Sequence, residues 1–291
     1  MQNSPISKLV VEEREFFVKR DELIDPFLAG NKYRKLYTLL ETPKNRYTTI
    51  ISYGGTQSNA MLALAALCHQ KGWQFIYYTK QLSNTQQLSQ EGNYAQALSL
   101  GMQHKEIANE LYREFIASLS ILTDDTTTCI VDQGGADKIA YDGLRVLANE
   151  IREQRYLLPS SLKAVATPSG TGTTALYLAL NLPEFTVYTT PVIGDITYLE
   201  TQMQALSPIP PNLIILQPEK KYHFAKPYKE FFEIYKKLKH AGIEFDLLYA
   251  PLMWKMLLEK TQEEILYIHS GGITGNKTML KRYIKKFSVS L

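Results

Sequence analysis

The sequence predicts an α/β protein built on parallel β-sheet with helices on both faces. Short β-rich runs alternate with helix-period runs along the chain, which is the pattern of successive βαβ units. Glycines cluster just after strand candidates, at Gly54-Gly55, Gly134-Gly135, Gly170 with Gly172, and Gly271-Gly272. The 291 residues are 45% hydrophobic, 21% charged and 11% aromatic, enough to bury a full core in one large or two ordinary domains. In open parallel sheets ligands bind beyond the carboxyl ends of strands, so four glycine turns there point to a small-molecule cleft.

The elements follow in order. YTTIISYGG, at 47–55, reads as a strand ending in glycines. The next helix, SNAMLALAALCHQKG, has Ser58 or Asn59 placed to cap it and Gly72 to stop it. WQFIYYTK is a strand, QLSNTQQLSQEG (81–92) a surface loop, and GNYAQALSLG a Gly-bounded helix. TTTCIVDQGG is a strand ending in two glycines. Ile139, Leu144, Leu147 and Ile151 then recur at helical spacing. After Pro159, LKAVATPSG is strand then turn, and TTALYLALNL is a helix. TVYTTPVIG and NLIILQ are strands, and KPYKEFFEIYKKLKHAG is a long helix ending at Gly242. EFDLLYAP is a strand, WKMLLEK a helix, and EILYIHSGG a final strand.

Composition excludes several function classes. Lys plus Arg number 32 and Asp plus Glu 29, a net charge of only +3. A nucleic-acid binder shows a larger, more concentrated surplus, and the late basic runs read as solvated helix faces. Cys68 and Cys129 sit in apolar and β-branched runs as small hydrophobes, without a C-x-x-C partner. No zinc site or disulfide framework is expected, and the five histidines lie too far apart for a metal set. With no apolar signal core in MQNSPISKLVVEERE and no membrane-length apolar window, a cytoplasmic protein without a membrane partner is expected.

Three strings carry chemistry. Ser169-Gly170-Thr171-Gly172-Thr173-Thr174 follows a strand and opens a helix. Its small residues let backbone amides approach an anion at the helix N-terminus, and its hydroxyls add donors. It lacks the lysine of a nucleotide-triphosphate loop, and the next strand has no acid at its end for a ribose, so a phosphate monoester fits better than a nicotinamide. In Gly30-Asn31-Lys32-Tyr33-Arg34-Lys35-Leu36 a helix is expected to start and to run on through LYTLLE. Lys32 then lies in its first turn, with Arg34 and Lys35 as neighbours. Helix dipole and like charge both favour the neutral amine that an imine-forming lysine needs. Gly54-Gly55-Thr56-Gln57-Ser58-Asn59 is a Gly turn opening a helix, able to hold a carboxylate or simply to cap.

Together, G-N-K-x-R-K-L, G-G-x-Q-S-N and S-G-T-G-T-T resemble the family of 1-aminocyclopropane-1-carboxylate deaminase and D-cysteine desulfhydrase, from about Val18 to Gly272. That resemblance implies a tryptophan-synthase-β-like fold (fold type II of pyridoxal-phosphate enzymes), with two three-layer αβα domains and the cofactor between them. Residues 1–45 and 156–291 would form the large domain and 46–155 the small one. It implies pyridoxal 5'-phosphate as cofactor, a small amino acid as substrate, and a homodimer. Lys32 would be the Schiff-base lysine and would move the α-proton. Asn59 would meet the ring oxygen, and Gly170, Thr171, Gly172, Thr173 and Thr174 the phosphate. Ser58, with Gln57 and Asn59, would bind the substrate carboxylate. Ser270 in His269-Ser270-Gly271-Gly272 would face the ring nitrogen, Tyr222 would pack at the substrate, and Gly134-Gly135 would help close the site.

The string also departs from its relatives. Ala60 follows Asn59 where the family has His or Gln. In Ala250-Pro251-Leu252-Met253, Met253 takes the place of a family tyrosine and Trp254 that of the glutamate after it, while Tyr249 falls on the wrong phase of a regular strand. A hydroxyl such as Ser270 leaves the ring nitrogen neutral, which suits elimination. The expected reaction is D-cysteine desulfhydrase-like β-elimination giving keto acid and ammonia. Ring opening of the cyclopropane amino acid is the alternative, with cofactor binding without turnover as a third reading.

Overall fold

The computed structural model describes residues 3–25, 27–28, 30–83, 92–122, 125–135, 139–270 and 272–288. β1 (Ile6–Val11) and β2 (Arg14–Lys19) open the chain as an antiparallel hairpin. Its two-residue turn holds Glu12 and Glu13 at φ 52° and 64°, the left-handed pair that matches strand twist. Two short helices, α1 (Asn31–Lys35) and α2 (Tyr37–Glu41), replace the single helix expected from Gly30 onward; the break falls at Leu36.

β3 (Thr49–Tyr53), α3 (Asn59–Lys71), β4 (Gln74–Lys80), α4 (Asn93–Ser99), β5 (Met102–Ile107), α5 (Tyr112–Leu122) and β6 (Thr128–Val131) come next. Of the expected loop at 81–92, residues 84–91 lie outside the described ones. The second half runs α6 (Ala140–Glu153), β7 (Ala164–Ala166), α7 (Thr173–Asn181), β8 (Thr186–Thr189), α8 (Ile196–Gln204), β9 (Leu213–Ile215), α9 (Lys229–His240), α10 (Ala250–Lys260), β10 (Ile265–Ile268) and α11 (Asn276–Phe287).

Two sheets result among the described residues. One has the order β1-β2-β10-β7-β8-β9, parallel except for the β1–β2 pair. The other has the order β5-β4-β3-β6 and is parallel throughout. Residue alternation sends Val165 to one face of the larger sheet, against Leu144, Leu147 and Leu176, and Ala164 and Ala166 to the other, against Trp254 and Met256. Helix α3, buried along most of its length, fills the core of the smaller sheet beside Ile50, Phe75 and Val131. Ser58 caps α3 by accepting from Met61 N at 3.3 Å, and Gly72 ends it at φ 75°.

The expected strand EFDLLYAP does not form. Residues 244–249 are irregular, because the Asp246 carboxylate accepts from Leu248 N at 3.0 Å and Tyr249 N at 2.6 Å and bends the chain into α10. No helix among the described residues is long and apolar enough to cross a membrane.

A buried ionic cluster fixes α1. Arg34, with no exposed surface, pairs with Asp21 at 2.8 Å and Glu150 at 2.6 Å, and Lys19 pairs with Glu150 at 2.9 Å. Gly143 of α6 packs so closely on this helix that a methyl group there would lie 1.7 Å from the Arg34 carbonyl oxygen.

Candidate active site

The glycine turns sit at the carboxyl ends of β3, β6, β7 and β10, and contacts between the two sheets occur there, Gly134 beside Thr171 and Gly272 beside Asn59. Gly134, after β6, lies between Lys32 and the hydroxyl-rich loop. Its carbonyl accepts from Lys32 Nζ at 3.1 Å and from Lys35 Nζ at 3.3 Å. On its other side, a methyl group built on Gly134 would meet Thr171 Cγ2 at 4.0 Å. Lys32 and the hydroxyl-rich loop therefore stand one residue's width apart, close enough for a single aromatic ring to join them.

Burial of the Lys32 amine lowers its pKa to about 8. The physical cause differs from the expected one. α1 is only five residues long, and Arg34 turns away to Asp21 and Glu150, so desolvation does what dipole and charge were expected to do. Lys35, 4% exposed, is pushed well below the ordinary lysine range by burial and by Lys32. It is a site residue that the sequence reading passed over. Lys32 and Lys35 both donate to the single Gly134 carbonyl; the signal was the repeat of lysine three positions on, one helical turn from Lys32.

The loop itself is prepared for an anion. Gly172 caps α7 at φ 77°, where a methyl group would strike Met203 at 2.5 Å. Thr171 and Thr173 hydroxyls lie 3.0 Å apart, and the buried Thr174 hydroxyl has no partner among the described residues. Gly170 lies against Ile193 and the Tyr249 ring, its missing methyl 3.5 Å from Tyr249 Cε1 and 3.8 Å from the hydroxyl.

A cavity of about 220 Å³ is lined by Lys32, Asn59, Ser270 and Gly272, with Phe27, Leu62 and Ile273 as apolar wall. Asn31 N donates to the Ser270 carbonyl at 3.2 Å, which ties α1 to the turn after β10. A methyl group on Gly272 would lie 2.3 Å from Asn59 Nδ2, so the Asn59 amide rests directly on this glycine. Gly271 lies outside the described residues. Glu22 lines the same cavity. Its carboxyl is nearly buried, is held by Arg20, and is raised above the usual carboxylate range by burial. Its only signal in the sequence is an acid shortly after a strand.

Other expected residues fall elsewhere. Ser58 spends one lone pair on the α3 cap, and Gln57 is exposed, its side chain close to Gly92. Tyr222 does not line the Lys32 cavity. Its ring packs on Tyr228 and Phe231, it is paired with Glu230, and it borders a separate pocket with Pro191, Asp195 and Leu252. Met253 and Trp254, read as site positions, are fully buried core residues of α10. The tyrosine just ahead of this helix is Tyr249, which reaches Gly170 because the chain bends at Asp246 instead of running on as a strand.

No family model matches the chain. A Thermotoga maritima protein provisionally named a 1-aminocyclopropane-1-carboxylate deaminase is 25% identical over 92% of this chain and 92% of its own. The mitochondrial bifunctional D-cysteine desulfhydrase/1-aminocyclopropane-1-carboxylate deaminase of Arabidopsis thaliana is 25% identical over 90% of this chain and 73% of its own. Among solved structures, a homologue of the cyclopropane-carboxylate deaminase superposes with a TM-score of 0.74 at 21% identity, covering 97% of this chain and 94% of its own. A hydrogen-sulfide-producing enzyme of Fusobacterium nucleatum superposes with a TM-score of 0.66 at 15% identity, covering 97% and 90%. The fold is thus the tryptophan-synthase-β-like one, and the similarity to the deaminase and desulfhydrase family extends over nearly the whole chain.

Proposed function

We propose that this chain is a pyridoxal-5'-phosphate-dependent lyase that eliminates a leaving group from Cβ of a small amino acid, as a D-cysteine desulfhydrase does, and releases keto acid and ammonia. The observation that carries it is the desolvated Lys32 amine standing across Gly134 from the anion loop. The residues fit the cofactor. The unpartnered Thr174 hydroxyl and the loop amides suit its phosphate, and Asn59 and Ser270 border the space for its ring.

When bound, pyridoxal phosphate supplies an aldehyde that condenses with amines and a ring that accepts the electron pair left by a departing α-proton. The protein supplies position and proton control. Lys32, part neutral near pH 8, would hold the cofactor and would serve as the base that carries the α-proton. Asn59, on the cavity wall, would offer its amide to the ring oxygen. Ser58 and Gln57 open α3, whose first backbone amides offer donors to the substrate carboxylate. Phe27, Leu62 and Ile273 give the cavity an apolar wall. Tyr249 takes up the place beside the anion loop that Met253 and Tyr222 do not reach.

Ring opening is the second reading, and Glu22 favours it. A carboxylate on the wall shared with Ser270 would keep the ring nitrogen protonated and strengthen the electron sink. Keto-acid release from D-cysteine, L-cysteine, D-serine and the cyclopropane amino acid, measured side by side, tests both. The expected result is fastest turnover of D-cysteine. Faster turnover of the cyclopropane substrate reverses the order, and cofactor absorbance with no product from any of the four overturns the lyase reading.

A further inference from the structure

We propose that Asn93 is a positioning residue that sets the Asn59 amide with its nitrogen facing the cavity and ties that setting to the turn after β10. The proposal rests on the pyridoxal phosphate reading above and deepens it. Asn93 is the first residue of α4, 1% exposed, and follows Gly92 at φ 87°. Its side-chain nitrogen donates to the Gln57 carbonyl at 3.1 Å and to Asn59 Oδ1 at 2.8 Å. Its oxygen accepts from the Thr274 hydroxyl at 3.0 Å.

The orientation follows from donor and acceptor chemistry alone. A backbone carbonyl only accepts, so the Asn93 atom facing Gln57 is its nitrogen. The same nitrogen faces Asn59, so the Asn59 atom that meets it is the amide oxygen. The Asn59 nitrogen must then point the other way, toward Gly272 and the cavity, where the 2.3 Å spacing to a methyl on Gly272 places it. One buried amide thus reads the direction of the turn at Gln57, fixes a donor toward the site of the ring oxygen, and links the smaller sheet to the larger through Thr274. Freed from Asn93, an asparagine amide has two nearly equal-sized ends and turns either way.

A donor at the ring oxygen draws charge from it and so weakens its hold on the proton that it shares with the Lys32-linked nitrogen. The test is the pH titration of the visible absorbance of pyridoxal phosphate bound to the whole protein, together with its dissociation constant. In Asn93→Asp the new carboxylate draws the Asn59 nitrogen to itself and turns its oxygen to the cavity. The titration should move up by about one pH unit and pyridoxal phosphate should bind about tenfold more weakly, the scale of one hydrogen bond to a charged group. In an Asn59→Ala background, Asn93→Asp should add no further shift. A folded Asn93→Asp protein, by circular dichroism, with unchanged titration and affinity overturns the proposal, as does an equal shift in both backgrounds. If Asn93→Asp fails to fold, the same readings on Asn93→Ala decide, with a smaller upward shift expected. Wild-type protein that shows no such absorbance overturns the cofactor reading itself, a result distinct from an absorbing wild type with an indifferent variant.

Discussion

At Lys32 burial strips water from a common side-chain amine, which donates to Gly134 O at 3.1 Å. The consequence is a specific pH dependence. Below pH 8 the amine is mostly protonated and cannot attack an aldehyde; above about 8 the neutral form dominates. Capture of pyridoxal phosphate by the cofactor-free protein, followed by absorbance, should speed up about tenfold per pH unit below that value and level off above it. A rate still climbing through pH 10 would show an amine of ordinary basicity. Folding stability carries the same sign. Between pH 8 and 10.5 the unfolded chain binds the Lys32 proton and the folded one does not, so this residue's contribution rises with pH across that window. Tyr249 shows the limit of reading residues singly. A regular strand puts its ring out of phase with the site, and Asp246, by accepting backbone donors, abolishes that strand.

At the scale of elements, α1 is too short to hold itself, and its position comes from Arg34 below it and Gly143 beside it. Replacing Arg34→Met takes from buried Asp21 its paired cation and leaves Glu150 with Lys19 alone. A loss of about 3–5 kcal/mol in chemical denaturation is expected, together with weaker cofactor capture by the displaced Lys32. A loss below about 1 kcal/mol would mean that packing alone seats the helix. The elements legible in the sequence were those with strong periodicity or punctuation, such as α3 between Ser58 and Gly72 and the strands ending in glycines. β5, MQHKEI, escaped because an edge strand has little apolar side chain to show, and α8 because its apolar face is narrow. The β1–β2 hairpin escaped because its turn is made by two glutamates instead of Asn-Gly.

Over the whole molecule, contacts between the two sheets occur at the carboxyl ends of strands, through glycines that leave room for side chains. Gly134 of the smaller sheet meets Thr171 of the larger, and Gly272 of the larger meets Asn59 of the smaller. The sequence showed these turns as strings because close approach demands small residues at fixed places; it could not show Glu22 or Asn93, whose roles exist only through partners distant along the chain. The division into domains at 45 and 156, and the grip of one cofactor by both sheets, follow as proposals from this arrangement. The most direct measurement is borohydride reduction of the protein mixed with pyridoxal phosphate, followed by peptide mapping in a mass spectrometer. The account predicts a stable pyridoxyl group on Lys32 and its absence from Lys32→Ala. Labelling of Lys35 or a surface lysine in place of Lys32, or no labelling at all, would contradict it.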